Sequence, residues 1–129
     1  MKKNFVSLII VLATALLMTG CASKEGSGNA SQAGKESRKV SIATGEFHEF
    51  CENWEVGDTI NFSFTSTKPV MFNVHYHANH VKYYPIKDTL VDEYSGSFVV
   101  QHKDTHCGFW QNNNDNYVKL TYEMEVVKK

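Results

Sequence analysis

Apolar and polar residues alternate along much of the chain beyond residue 58. Ile60, Phe62 and Phe64 are separated by Asn61 and Ser63, and Val118, Leu120, Tyr122, Met124 and Val126 by Lys119, Thr121, Glu123 and Glu125. Successive side chains of a strand point to opposite faces, so each run predicts a strand with one face on a core. Val70, Phe72, Val74 and Tyr76 repeat the pattern, with Met71, Asn73, His75 and His77 on the other face. Further strands are predicted near Val81 to Tyr84, over Ser97 to Gln101, and through Thr105 to Gln111. Turn chemistry separates them at Val56-Gly57-Asp58, Ser66-Thr67-Lys68-Pro69, Ser95-Gly96 and Asn112 to Asn116. Short strands at such intervals predict an all-β fold, a small antiparallel β-sandwich. No segment has a helical period, and no internal repeat is evident.

The first residues follow a different rule. Lys2-Lys3 precedes an apolar run from Phe5 to Met18 broken only by Ser7 and Thr14. This is the pattern of a secretory signal, and it is shorter than the ~20 residues needed to span a bilayer. Leu17-Met18-Thr19-Gly20-Cys21 resembles a bacterial lipobox, with Met18 where leucine is usual. The resemblance implies cleavage before Cys21 and attachment of lipid, palmitate included, to that cysteine. Ala22 to Arg38 contains nothing more apolar than alanine and cannot bury enough surface to fold. As a tether of about 17 residues it would reach about 23 Å. The expected organisation is a signal peptide over 1–20, lipid attachment and tether over 21–39, and a sandwich domain over 40–129.

Charge refines the class of partner. The span 40–129 holds 7 Lys against 12 Asp plus Glu, a formal charge of 7 − 12 = −5 with histidine neutral. An acidic domain suits cations and disfavours nucleic acid. With Cys21 lipidated, Cys51 and Cys107 remain as an even pair in an exported chain. They are either a disulfide, worth about 4 kcal/mol for a loop of about 56 residues, or two thiols free for metal.

A wider resemblance emerges from Cys51, the Glu55-Val56-Gly57-Asp58 turn, Phe72-Asn73-Val74-His75, Tyr94-Ser95-Gly96-Ser97-Phe98 and Thr105-His106-Cys107-Gly108-Phe109-Trp110-Gln111-Asn112. In order and spacing these resemble the GOLD domain of secretory-pathway cargo receptors. The resemblance implies a GOLD-like β-sandwich with a Cys51–Cys107 bridge. It does not imply cargo sorting, because fold does not fix function. The chain also resembles small exported bacterial proteins with a strand ending in His-Tyr-His and a later Tyr-Pro, here Tyr84-Pro85.

Candidate chemistry centres on His75-Tyr76-His77-Ala78-Asn79-His80. His75 and His77 share a face, with Cα atoms about 7 Å apart, and neutral imidazole is a good ligand for zinc or copper. His80 can fold back as a third ligand, and His102 and His106 can approach from a neighbouring strand. Glu46, Glu49, Glu52 and Glu55 recur every three residues and read as solvated groups edging a loop and strand. Tyr76 and Trp110 read as core, Trp110 against the disulfide. No phosphate loop, Gly-x-Ser-x-Gly or His-Glu-x-x-His is present, and the chain does not read as an enzyme. The expectation is a lipid-anchored extracytoplasmic protein binding copper or zinc through His75, His77 and His80. The alternative is a non-metal adhesion or assembly module of the cell envelope, with another envelope protein as partner.

Overall fold

The computed structural model describes residues 35–129, which form strands and no helix. The signal segment, Cys21 and the tether up to residue 34 lie outside the described residues. In chain order the strands are β1 (Lys35–Ile42), β2 (Phe47–Asn53), β3 (Thr59–Ala78), β4 (Val81–Val99), β5 (Thr105–Gln111) and β6 (Val118–Val127). All pairings are antiparallel, in the order β1-β6-β3-β5-β2, with β4 on the other edge of β3. The all-β antiparallel class and the Cys51–Cys107 disulfide both stand as expected.

Two expected turns are instead interior to long strands. Ser66-Thr67-Lys68-Pro69 belongs to β3, and Ser95-Gly96 to β4. β3 changes partner at this point, pairing with β6 from Thr59 to Ser66 and with β5 from Met71 to Tyr76. The β3–β4 register shifts between Thr65 and Val70, and Pro69, which has no N–H to donate, sits in that irregular stretch. The Pro69 carbonyl accepts a hydrogen bond from Asn114 Nδ2 at 2.8 Å. β3 thereby folds its own apolar face inward, setting Phe64 and Phe72 of one strand 4.8 Å apart between ring centres. Gly96 serves a close approach, because a Cβ there would lie 3.3 Å from Phe62 Cζ and 3.0 Å from Tyr94 Cε1.

The core lies between the two halves of this curled sheet. Ile60, Phe62, Phe64, Val70, Phe72, Val74, Trp110, Leu120 and Tyr122 are all buried in it, as their alternation requires. Trp110 stacks on Phe72 and Tyr122, and it does not lie on the disulfide face. Residues three apart on a strand point to opposite sides, so Cys107 faces outward where Trp110 faces in. The Asn112 to Asn116 segment is an internally bonded turn. Asn112 is fully buried, and its amide donates to Ile42 O at 3.0 Å and Asn116 O at 2.9 Å.

Lys35 to Lys39, polar as they are, belong to a strand. β1 begins at Lys35 and pairs with β6 from Lys35↔Glu125 to Ile42↔Val118. Backbone pairing at a sheet edge does not require apolar side chains, which is why the polar run Lys35 to Lys39 joins the fold. An ion pair from Lys35 Nζ to Glu123 at 2.7 Å and Arg38 over the Phe50 ring at 4.9 Å accompany it.

Gly108 provides a test of core packing. A Cβ at this position would sit 2.9 Å from Trp110 Cη2 and 3.4 Å from Met124 Cε. Gly108→Ala is expected to lower stability by about 1–3 kcal/mol through overpacking, read as a lower urea midpoint with unchanged slope. Reduction of Cys51–Cys107 should lower stability by about 4 kcal/mol in the chain-entropy account, measured by parallel melts with and without reductant.

Candidate functional site

His75 lies on the face of β3 opposite the core, as alternation predicts, yet it is 2% exposed. Neighbouring side chains cover it. His77 meets it edge to face with ring centres 5.3 Å apart, Tyr84 at 6.1 Å and Phe109 at 6.3 Å. On the same sheet, Cys107 pairs in register with both His75 and Cys51. The disulfide therefore runs along the floor beside the histidine.

Both ring nitrogens of His75 face oxygen. Nδ1 lies 2.8 Å from Asn73 Oδ1, and Nε2 lies 3.3 Å from Glu49 Oε1. Asn73 is oriented by its other end, where Nδ2 donates to Asp88 Oδ1 at 2.8 Å. A carboxylate only accepts, so the amide must turn its NH2 to Asp88 and its carbonyl to His75. His75 consequently holds its proton on Nδ1 and donates it to Asn73. In the neutral ring Nε2 is then a bare lone pair facing the Glu49 carboxylate.

Burial, reinforced by Lys82 and His77 and opposed by Asp88, holds the His75 pKa down to about 4. The ring is neutral at pH 7, and the contact to Glu49 is not an ion pair there. Two acceptors facing each other at 3.3 Å repel unless a cation lies between them.

The other sequence candidates are distributed differently. His80 is exposed at the tip of the β3–β4 hairpin, where Asn79 and His80 take φ of 51° and 62° in a two-residue turn between paired Ala78 and Val81. Among the described residues neither His75, His77 and His80 nor Glu49, His75 and His77 have three ligand atoms within 4.8 Å of one another. Among the described residues, the ligand atoms of Glu49, Cys51 and Cys107 do lie within 4.8 Å of one another. The two sulfurs are bonded to each other and offer no thiolate. His106 faces the opposite side of the sheet from His75, at 1% exposure, and His102 stacks on Tyr76 at 5.3 Å. His48 Nε2 lies 3.1 Å from the Tyr122 hydroxyl.

Glu49, Asn73 and Asp88 are the residues that sequence reasoning missed. Glu49 sits on β2, separated from β3 by β5, and reaches His75 across that intervening strand. Nothing in the three-residue spacing of the glutamates distinguishes it. Asn73 carried one available signal, its place two residues before His75 on the same face of a strand.

No protein-family model matches the chain, and no curated protein matches it. Among solved structures it is similar to Aeromonas hydrophila PliG, a periplasmic lysozyme inhibitor of g-type lysozyme. The identity is 11%, over 78% of this chain and 92% of that one, with a TM-score of 0.53. It is also similar to a de novo designed double-stranded β-helix, at 14% identity over 70% of this chain and 99% of that one, with a TM-score of 0.40. The likeness to PliG is one of fold.

His48, His75 and His106 are all lowered from the ordinary value of 6.5, in each case chiefly by burial. The unfolded chain takes up these protons near pH 6.5, while the folded chain resists doing so, His75 down to about 4. Folding stability is therefore full above pH 6.5 and lost as pH falls toward 4. Urea midpoints measured on metal-free protein should decline through this window. A flat profile would show that these rings already share protons with their acceptors.

Proposed function

We propose that the chain is a lipid-anchored extracytoplasmic protein that binds zinc or copper between His75 Nε2 and the Glu49 carboxylate, with His77 as a third ligand. The observation that carries this reading is the 3.3 Å separation of Nε2 and Oε1. Two ligands each ~2.0–2.1 Å from a tetrahedral ion are separated by about 3.3–3.4 Å. The His77 ring lies 5.3 Å from that of His75, centre to centre, and is exposed, so it can turn to join them as a third ligand. Asn73, itself held by Asp88, supplies the outer contact that fixes the tautomer of a metal-binding histidine. Glu49 takes the place that the sequence reading gave to His80.

The ion answers an electrostatic problem that a proton solves poorly. Protonating His75 would pair it with Glu49, but burial opposes the charged ring. A divalent ion accepts both lone pairs and keeps the imidazole neutral. The proposed role is binding of the ion, without catalysis. The extracytoplasmic part of the reading is supported by the signal-like run before Cys21, by a disulfide of the kind that persists outside the cytoplasm, and by a fold like that of a periplasmic inhibitor. The GOLD resemblance implies a β-sandwich with this cysteine pair, and says nothing about metal.

Oxidised, lipid-free protein retaining residues 35–129 is expected to bind about one zinc or copper ion per chain, measured by equilibrium dialysis and calorimetry. His75→Ala and Glu49→Gln should each weaken binding by about tenfold or more, and Asn73→Ala by about 10–100-fold, whereas His80→Ala should not change it. No retained metal overturns the metal class and favours the non-metal envelope module. Loss in His80→Ala with none in Glu49→Gln restores the His75, His77, His80 set.

A further inference from the structure

The sandwich has an opening at the end opposite the β3 bend, on the core side of the sheet from His75. Tyr76, Tyr83, Phe98, Val99, Gln101 and His106 line a cavity of about 310 Å³, which falls within the size range of small-molecule sites. Tyr84 and Pro85 complete the lining, and aromatic rings make up part of it. Tyr76 and Tyr83 stack at 5.2 Å with planes 12° apart, Tyr76 lies 4.8 Å from His106, and Phe98 stacks on His106 at 5.9 Å.

His106 brings a ring nitrogen to this wall. His106 is 1% exposed, and its Nδ1–H donates to Asp104 O at 2.7 Å. Burial lowers its pKa despite the opposing influence of Asp104, so the ring carries a single proton and Nε2 is an acceptor. Among the described residues Nε2 has no protein hydrogen-bond partner and is not one of the fully enclosed unpaired atoms, so it is open to a ligand. No Asp, Glu, Lys or Arg lines the cavity, so a charged ligand would find no counter-charge.

We propose that this opening binds a flat, uncharged aromatic ring bearing one O–H or N–H donor, a phenol or an indole, with that donor on His106 Nε2. The ring face stacks among Tyr76, Tyr83 and Phe98, at the offset geometries aromatic pairs favour. Tyr83 is 42% exposed at the mouth and can adjust on entry. The proposal uses none of the metal residues and stands or falls without them. The same chemistry can arrive as a free small molecule or as the tyrosine or tryptophan side chain of a protein partner.

The test titrates the intact lipid-free protein with p-cresol and with toluene, following the amide resonances of Tyr76, Phe98 and His106 by NMR. p-Cresol is expected to bind about tenfold more tightly than toluene, the value of one buried hydrogen bond. His106→Phe should erase that difference while retaining toluene, and Tyr83→Ala should weaken both rings. Equal affinity of the parent protein for p-cresol and toluene, tighter binding of methyl glucoside than of p-cresol, or no shift with p-cresol at about 10 mM overturns the proposal. The toluene comparison needs no variant, so a misfolded His106→Phe protein does not weaken the test. A tyrosine tripeptide binding about tenfold tighter than p-cresol identifies a protein partner as the source. Equal or weaker peptide binding identifies a free small molecule, and the proposal holds in both cases.

Discussion

The fold depends on one strand turning back against itself. β3 pairs with β6 along its first half and with β5 along its second, while β4 follows it on the other edge. Between the halves the register breaks, Pro69 removes a backbone donor, and Asn114 ties the bend to the Asn112 turn. Without that bend Phe62 and Phe64 would continue in line with Phe72, and none would have a partner layer. With it, a single sheet supplies both walls of its own core, and the rings of Phe62, Phe64, Phe72 and Trp110 meet in the middle.

The same bend determines which side chains can meet on the outside. It places the second half of β3 next to β5 and β2, so Asn73 and His75 lie within reach of Glu49 and the Cys51–Cys107 bridge. A histidine on the outer face of a sheet would ordinarily be solvated. Here Glu49, His77, Tyr84 and Phe109 close over it, and the burial lowers its proton affinity. The resulting conflict, a bare nitrogen facing a carboxylate, exists only because Asp88 has already fixed the orientation of Asn73. Three polar contacts in series thus set the chemistry of one atom.

Local pattern carried further for the elements than for the connections. The alternation of Ile60, Phe62, Phe64 and of Val118 through Val126 marked strands and their buried faces, because side-chain direction along a strand has a period of two whatever the tertiary context. It also placed Tyr76 inward and His75 outward. Turn residues were less informative. Pro69 and Gly96 have the composition of turns, but Pro69 is accommodated at an irregularity in a strand and Gly96 at a close approach of aromatic rings. Both uses exploit the properties that also favour turns, so a local reading has no means of separating them.

The sequence by itself determined the class of the fold, the facing of the residues in the alternating runs and the candidacy of His75 and His77. These are properties of neighbouring residues and of a two-residue repeat. The tertiary structure alone decided that β1 starts at Lys35, that His80 stands apart on a tight turn, and that His106 closes a cavity on the other side of the sheet. It alone brought Glu49 to His75. Strand order is set by which apolar faces pack together across the whole domain, and two residues from strands that are not neighbours meet only once that order exists.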